Sequence, residues 1–153
     1  MHTIRSILSN YVLISAVLSW VIAQLIKTLI TLVVTKKFSV ERLFGAGGMP
    51  SAHSAMVCAL TIAVSRRVGI ASPEFAIAFI LAGVVMYDAM GVRRAAGEQA
   101  KVLNRMMDTW DKDEADELEQ ESDKELKEVL GHTPLEVLGG ALLGILIALL
   151  LPH

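Results

Sequence analysis

Four long apolar stretches, separated by short polar clusters, set the pattern of the chain. The first runs from about residue 9 to 35, interrupted by Gln24 and Lys27, and is followed by Lys36, Lys37 and Arg42. The second runs from about Ser51 to Val68 and closes on Arg66-Arg67; the third runs from Pro73 to about Arg93, with Tyr87 and Asp88 near its end. The fourth starts near Thr133 and continues to Leu151. At about 1.5 Å per residue these lengths approach or exceed the ~30 Å hydrocarbon layer of a bilayer, the second only barely. The pattern predicts an all-α integral membrane bundle of about four spans, one membrane-embedded domain over residues 1–153. The N-terminal stretch is too long for a signal peptide and lacks a small-residue cleavage pattern, so it reads as the first span.

Local signals set the helix starts. Ser51 follows the glycine-loosened run Gly47-Gly48-Met49-Pro50 and can cap the second helix. Ser72 before Pro73 caps the third. Thr133, with Pro134 next and Glu136 three residues on, forms a capping-box pattern at the fourth. Between the third and fourth spans lies a different texture. From Asp108 to Glu128 there are eleven acidic and three basic residues, a net of −8, with too few apolar positions for a convincing buried face. A soluble acidic helical insertion is expected at about residues 106–130.

Composition agrees with the pattern: of 153 residues 54% are apolar and 20% charged. The net charge of −2 averages a basic site region against the acidic insertion, and gives no reason to expect a nucleic-acid partner. The single cysteine, Cys58, lies in an apolar run and reads as a small buried hydrophobe. In Gly140-Ala-Leu-Leu-Gly144 the glycine spacing permits close helix contact, within the bundle as we expect or, alternatively, in a homodimer.

Topology then gathers the chemistry. Four antiparallel spans bring the end of the first, the start of the second, the end of the third and the start of the fourth to one membrane face. Lys36, Lys37, Ser51, His53, Asp88, Arg93, Arg94, His132 and Glu136 fall at those ends, and Lys27 lies about two turns deeper on the same side. Ionisable groups inside or bordering a span are costly to keep there and are functional candidates for that reason. Lys27 has Gln24 one turn away as its neighbour. Asp88 can orient one of Arg93 and Arg94, whose forked donors suit phosphate oxygens. The first turn of the helix after Ser51 points free N–H groups and a positive dipole end outward, which suits an anion, and His53 sits within that turn. His132 has no capping duty, and Glu136 four residues on can hold one ring nitrogen and raise the basicity of the other. Two imidazoles, at least three cations and a helix-start nest of donors describe phosphoryl transfer without a metal or other cofactor. One imidazole attacks phosphorus, the cations neutralise its oxygens, and the other imidazole protonates the leaving oxygen.

These residues resemble the type 2 phosphatidic acid phosphatase superfamily, and in particular its small divergent branch of bacterial and plastid membrane proteins. Pro50-Ser51-Ala52-His53 is similar to that superfamily's Pro-Ser-Gly-His motif, with alanine for glycine. His132-Thr-Pro-Leu-Glu136 is similar to the end of its third motif, with glutamate for aspartate. The resemblance implies His132 as the nucleophile that becomes phosphohistidine, Glu136 as its orienter and His53 as general acid. It implies phosphate contacts from Ser51, the Ala52 amide and Lys27. The arginine expected six residues before the nucleophile is replaced by Leu126, and Arg93 and Arg94 are expected to take its part. Asp88 and Gln24 support the site.

The resemblance implies a lipid phosphate phosphatase acting on a phosphomonoester or pyrophosphate of an amphiphile such as phosphatidic acid, phosphatidylglycerophosphate or an isoprenyl phosphate. The alternative from another class is a catalytically silent lipid-phosphate-binding or assembly protein of the same fold. A CDP-alcohol phosphotransferase, suggested by Asp88-x-x-Gly91, would want more aspartates near Asp88 than the third span holds. The chain is expected in the cell (inner) membrane, among membrane lipids. The site face is expected to be cytoplasmic, because it carries most of the Lys and Arg outside the acidic insertion.

Overall fold

The computed structural model describes residues 5–7, 9–36, 48–113 and 131–152, with side chains described for all of these except residues 35, 92–94 and 107–113. Among the described residues the structure is helical, with α1 Tyr11–Thr35, α2 Ala52–Val68, α3 Pro73–Met90, α4 Val92–Asp113 and α5 Pro134–Leu150. The helix starts use the residues the sequence offers. Asn10 accepts from the Leu13 amide at the head of α1, Ser51 from Ser54 at α2, and Ser72 from Phe75 at α3, where Pro73 needs no acceptor of its own. At α5 both halves of the capping box are made between Thr133 and Glu136. Each cap satisfies first-turn donors that have no partner inside the helix.

The short α2 is the axis of the bundle, and α1, α3 and α5 all pack on it. Its interior contacts are made with small residues. Ala23 of α1 meets Ala52 and Ala55. A Cβ on Gly140 would overlap the Ser51 carbonyl oxygen, and one on Gly144 the Ala55 carbonyl, so α5 lies against α2 at backbone distance. The Gly140–Gly144 pair therefore serves packing within the bundle. On another side the Thr61 hydroxyl donates to its own Val57 carbonyl and to the Ala78 carbonyl of α3, at 2.8 and 3.1 Å. Cys58 is buried, as expected, with its Sγ 3.8 Å from Met86 Sδ.

Size, rather than polarity, separates inside from outside. The largest fully buried side chains among the described residues are serines: Ser15, Ser19, Ser51 and Ser54. Leu25, Leu29 and Val33 of α1, Ile77, Phe79 and Ile80 of α3, and Leu138, Leu142 and Leu146 of α5 point outward. A water-soluble protein would bury those aliphatics, at about 1.5–3 kcal/mol each. In lipid no such force acts, and close backbone approach through Gly, Ala and Ser holds helices together. Two stretches are long and apolar enough to cross a membrane, Tyr11–Val34 and Pro73–Met106, and α5 is a shorter apolar helix.

At one end of the bundle Arg66 Nη1 donates to Tyr11 Oη at 2.9 Å and to the carbonyls of Ala148, Leu149 and Leu151, closing the tail of α5. The other end holds the candidate chemistry.

Two expectations change. The third helix ends at Met90, because Gly91 departs from helical geometry (φ −102°, ψ −82°) and separates α3 from α4, whereas the sequence pattern carried it on to about Arg93. Arg93 and Arg94 thus belong to the first turn of α4. The start of the expected acidic insertion lies within α4, which reaches Asp113; the rest of it, residues 114–130, lies outside the described residues.

Candidate functional site

Two backbone hydrogen bonds assemble the site end. The Ser51 amide donates to the Glu136 carbonyl at 3.0 Å, joining the start of α2 to the start of α5. The His132 amide donates to the Ala89 carbonyl at 3.0 Å, joining the approach to α5 to the last turn of α3. Three of the four expected helix ends are thereby fixed to one another.

The fourth is brought in by Lys27. Its side chain runs beneath Gly48, where an added Cβ would stand 3.2 Å from Lys27 Cδ and 3.4 Å from Cγ. Gly48 also has a positive φ of +86°, which favours glycine, so conformation and space both require it. Lys27 is buried, with 6% of its surface exposed, and the charge of Glu136 acts on it. The side chain is therefore held inside the fold and does not snorkel into water.

His132 is 4% exposed, and its Nδ1 lies 3.0 Å from Glu136 Oε2. An ionised carboxylate can only accept, so Nδ1 is the nitrogen that donates to it, and Nε2 is the ring nitrogen left outside that contact. The same Oε2 accepts from the Thr133 amide at 3.1 Å, and the Glu136 amide donates to Thr133 Oγ1 at 3.3 Å. The cap and the ring-holding contact are therefore one arrangement, since both partners reach the same oxygen.

Ser51 is fully buried, and its Oγ accepts from Ser54 Oγ at 3.0 Å and from the Ser54 amide at 3.4 Å. Its own hydroxyl proton is not needed for those contacts. The Ala52 and His53 amides belong to the turn without acceptors inside the helix. His53 is half-buried in that turn, and Asp88 is half-buried in the last turn of α3. Gln24 lies on α1 one turn before Lys27, with a buried Oε1 that has no hydrogen-bond partner among the described residues. Among the described residues no group of three or more His, Cys, Asp or Glu side chains is placed to hold a metal ion.

The structure thus brings Lys27, Ser51, Ala52, His132 and Glu136 into one connected cluster, with His53 and Asp88 on the adjoining turns. Arg93 and Arg94 are placed in the backbone of α4, but their side chains lie outside the described set. Sequence reasoning did not single out Gly48; its place in Gly47-Gly48 before a proline was the available signal.

The pattern of the Divergent PAP2 family matches residues 8–147. An uncharacterized membrane protein of Bacillus subtilis (strain 168), YuiD, is 42% identical over 153 residues, covering 96% of this chain and 97% of its own length. No solved structure matches the chain.

Proposed function

Because the chain belongs to the Divergent PAP2 family, we propose that it is a membrane lipid phosphate phosphatase working through a phosphohistidine. The observation that carries this reading is the buried His132 ring held through Nδ1 by Glu136 at 3.0 Å. Burial beside a carboxylate aims one ring nitrogen and leaves the other as a nucleophile, which a merely structural histidine does not need.

In the first step Nε2 of His132 donates its lone pair to phosphorus as the bond to the lipid oxygen breaks. His53, as imidazolium, gives that oxygen its proton. In the second step water attacks phosphorus and passes a proton to His53, the N–P electrons return to Nε2, and phosphate leaves. Lys27, Ser51, the Ala52 amide, Arg93 and Arg94 hold the phosphoryl oxygens as charge shifts among them. Asp88 orients an arginine, and Gln24 supports Lys27. We take α1, α2, α3 and α5 as the membrane spans of a multi-pass protein of the cell membrane. Its site face is in the cytoplasm, and its substrate is a lipid whose tails stay in the bilayer.

One experiment addresses both parts. Purified protein is given a panel of lipid phosphomonoesters and pyrophosphates without divalent metal, and sealed vesicles of each orientation are assayed with a membrane-impermeant short-chain lipid phosphate. The expected result is phosphate release that vanadate inhibits and His132→Ala abolishes, with inside-out vesicles the active ones. Release that needs Mg²⁺, or that survives His132→Ala, contradicts the mechanism. Lipid-phosphate binding with no turnover favours the silent binding protein.

A further inference from the structure

The helices around α2 leave one of its sides uncovered. α5 lies against the Ser51 and Ala55 positions, α3 against Cys58 and Thr61, and α1 against Ala52 and Ala55. Among the described residues α1 and α3 make no extensive contact with each other. At 3.6 residues per turn, His53, Met56, Leu60, Val64 and Arg67 fall within an arc of about 80°, opposite the side that α5 covers. The exposure pattern agrees. His53, Met56, Leu60 and Val64 are half-buried and Arg67 is exposed, whereas Val57, Ala59, Thr61 and Ala63 are buried. A recess therefore runs down α2 between α1 and α3, apolar along its floor, with His53 at its head.

We propose that this recess holds the hydrocarbon chain of the lipid whose phosphate occupies the site, so that the substrate reaches His53 and His132 sideways from its leaflet. The inference rests on the reading of the site as one for a lipid phosphate. From His53 to Val64 the floor is about 16 Å long, close to half of the ~30 Å hydrocarbon layer. That is the depth of one leaflet, and a chain anchored by its phosphate at the site end would hang along it. The outward aliphatics of α1, α3 and α5 face lipid equally, but those surfaces do not begin at a catalytic group. A second protein helix is a poor fit, because the floor is half-buried and the more exposed aliphatics stand on the flanking helices. Met56, Leu60 and Val64 would then set which chains the protein prefers.

The test uses a phosphatidic acid carrying a diazirine midway along one chain, and a diacylglycerol with the same chain and no phosphate. Each is photolysed with full-length protein in nanodiscs, as wild type and as His132→Ala, and the labelled residues are mapped by mass spectrometry. The expected result is labelling at Met56, Leu60 or Val64 by the phosphate-bearing probe. That labelling should be lost with diacylglycerol, lost with excess unlabelled phosphatidic acid, and lost in Leu60→Trp, whose ring fills the recess. Phe79→Trp, on the outer face of α3, should leave it intact. Labels confined to outer residues such as Leu29, Ile77 and Phe79 overturn the proposal. So does equal labelling by both probes, which marks ordinary bilayer lipid. Because mapping in the wild type decides the matter, a Leu60→Trp variant that fails to fold changes nothing. Phosphate release is measured in the same samples. Stripe labelling without release leaves the recess standing and removes the phosphatase; release with labels elsewhere does the opposite.

Discussion

One carboxylate oxygen, Oε2 of Glu136, accepts from both the Thr133 amide and the His132 ring, while the carbonyl of the same residue takes the Ser51 amide. Capping, ring orientation and helix docking thus converge on a single residue, and they can be separated by chemistry. In Glu136→Gln the amide oxygen can still accept from Thr133, and the backbone bond to Ser51 is untouched. Stability should then change by no more than about 1 kcal/mol, the usual scale of a cap. The carboxylate charge that supports the imidazole is lost, and turnover should fall by roughly 10²–10⁴. Thr133→Ala is the complement, with a cap-sized loss of melting stability and turnover within a few-fold of wild type. Thermal unfolding in detergent beside phosphate release reads both; equal turnover in Glu136→Gln and wild type would remove Glu136 from the mechanism. At this scale the sequence was informative wherever spacing along one helix carries the geometry. The i, i+3 cap and i, i+4 ring contact at α5 could be read directly, as could Ser51 before α2. What spacing could not give was contact across the chain, such as the stem of Lys27 passing under Gly48.

Between helices, the closest approach is that of α5 to α2, where Gly144 leaves no room for a side chain beside the Ala55 carbonyl. Gly144→Leu must push the two helices apart, and because Ser51 and Glu136 join the same pair, the displacement reaches the site. Overpacking of this kind costs about 1–3 kcal/mol. We expect a clear fall in melting temperature together with reduced turnover, while Gly83→Ala in α3, where a Cβ meets nothing within 4 Å, should alter neither. Unchanged stability in Gly144→Leu would mean that α5 is not seated as described. Helix starts at this scale were readable because caps are local chemistry. The first part of α4 was not foreseen, since the helical insertion was expected only from about residue 106 and the helix begins at Val92. Val92, Ala96, Ala100, Leu103 and Met107 recur at three- and four-residue spacing, but the acidic run from Asp108 hid the pattern by turning the stretch polar as a whole. Gly91 was equally easy to pass over, since the amides on either side of the break still bond, Gly91 to Tyr87 and Ala95 to Gly91.

Across the molecule, apolar runs announced a membrane protein, yet they gave little guidance about which side of each helix faces in. In water, polarity marks the exposed face of a helix; in lipid, both faces are apolar and only side-chain size distinguishes them. The serine and alanine interior, the outward leucines and the uncovered side of α2 therefore emerged only in three dimensions. The convergence of helix ends was legible, because antiparallel order alone decides it. It is also the feature on which the functional reading depends, because that reading requires a nucleophilic ring from one helix and a proton donor from another to face one phosphate. The most direct measurement is to react the protein with a lipid phosphate labelled with ³²P, quench in alkali, where phosphohistidine survives, and locate the label by mass spectrometry. The account predicts phosphate on His132, absent from His132→Ala. Steady phosphate release with no label on His132, or with the label on another residue, would contradict it.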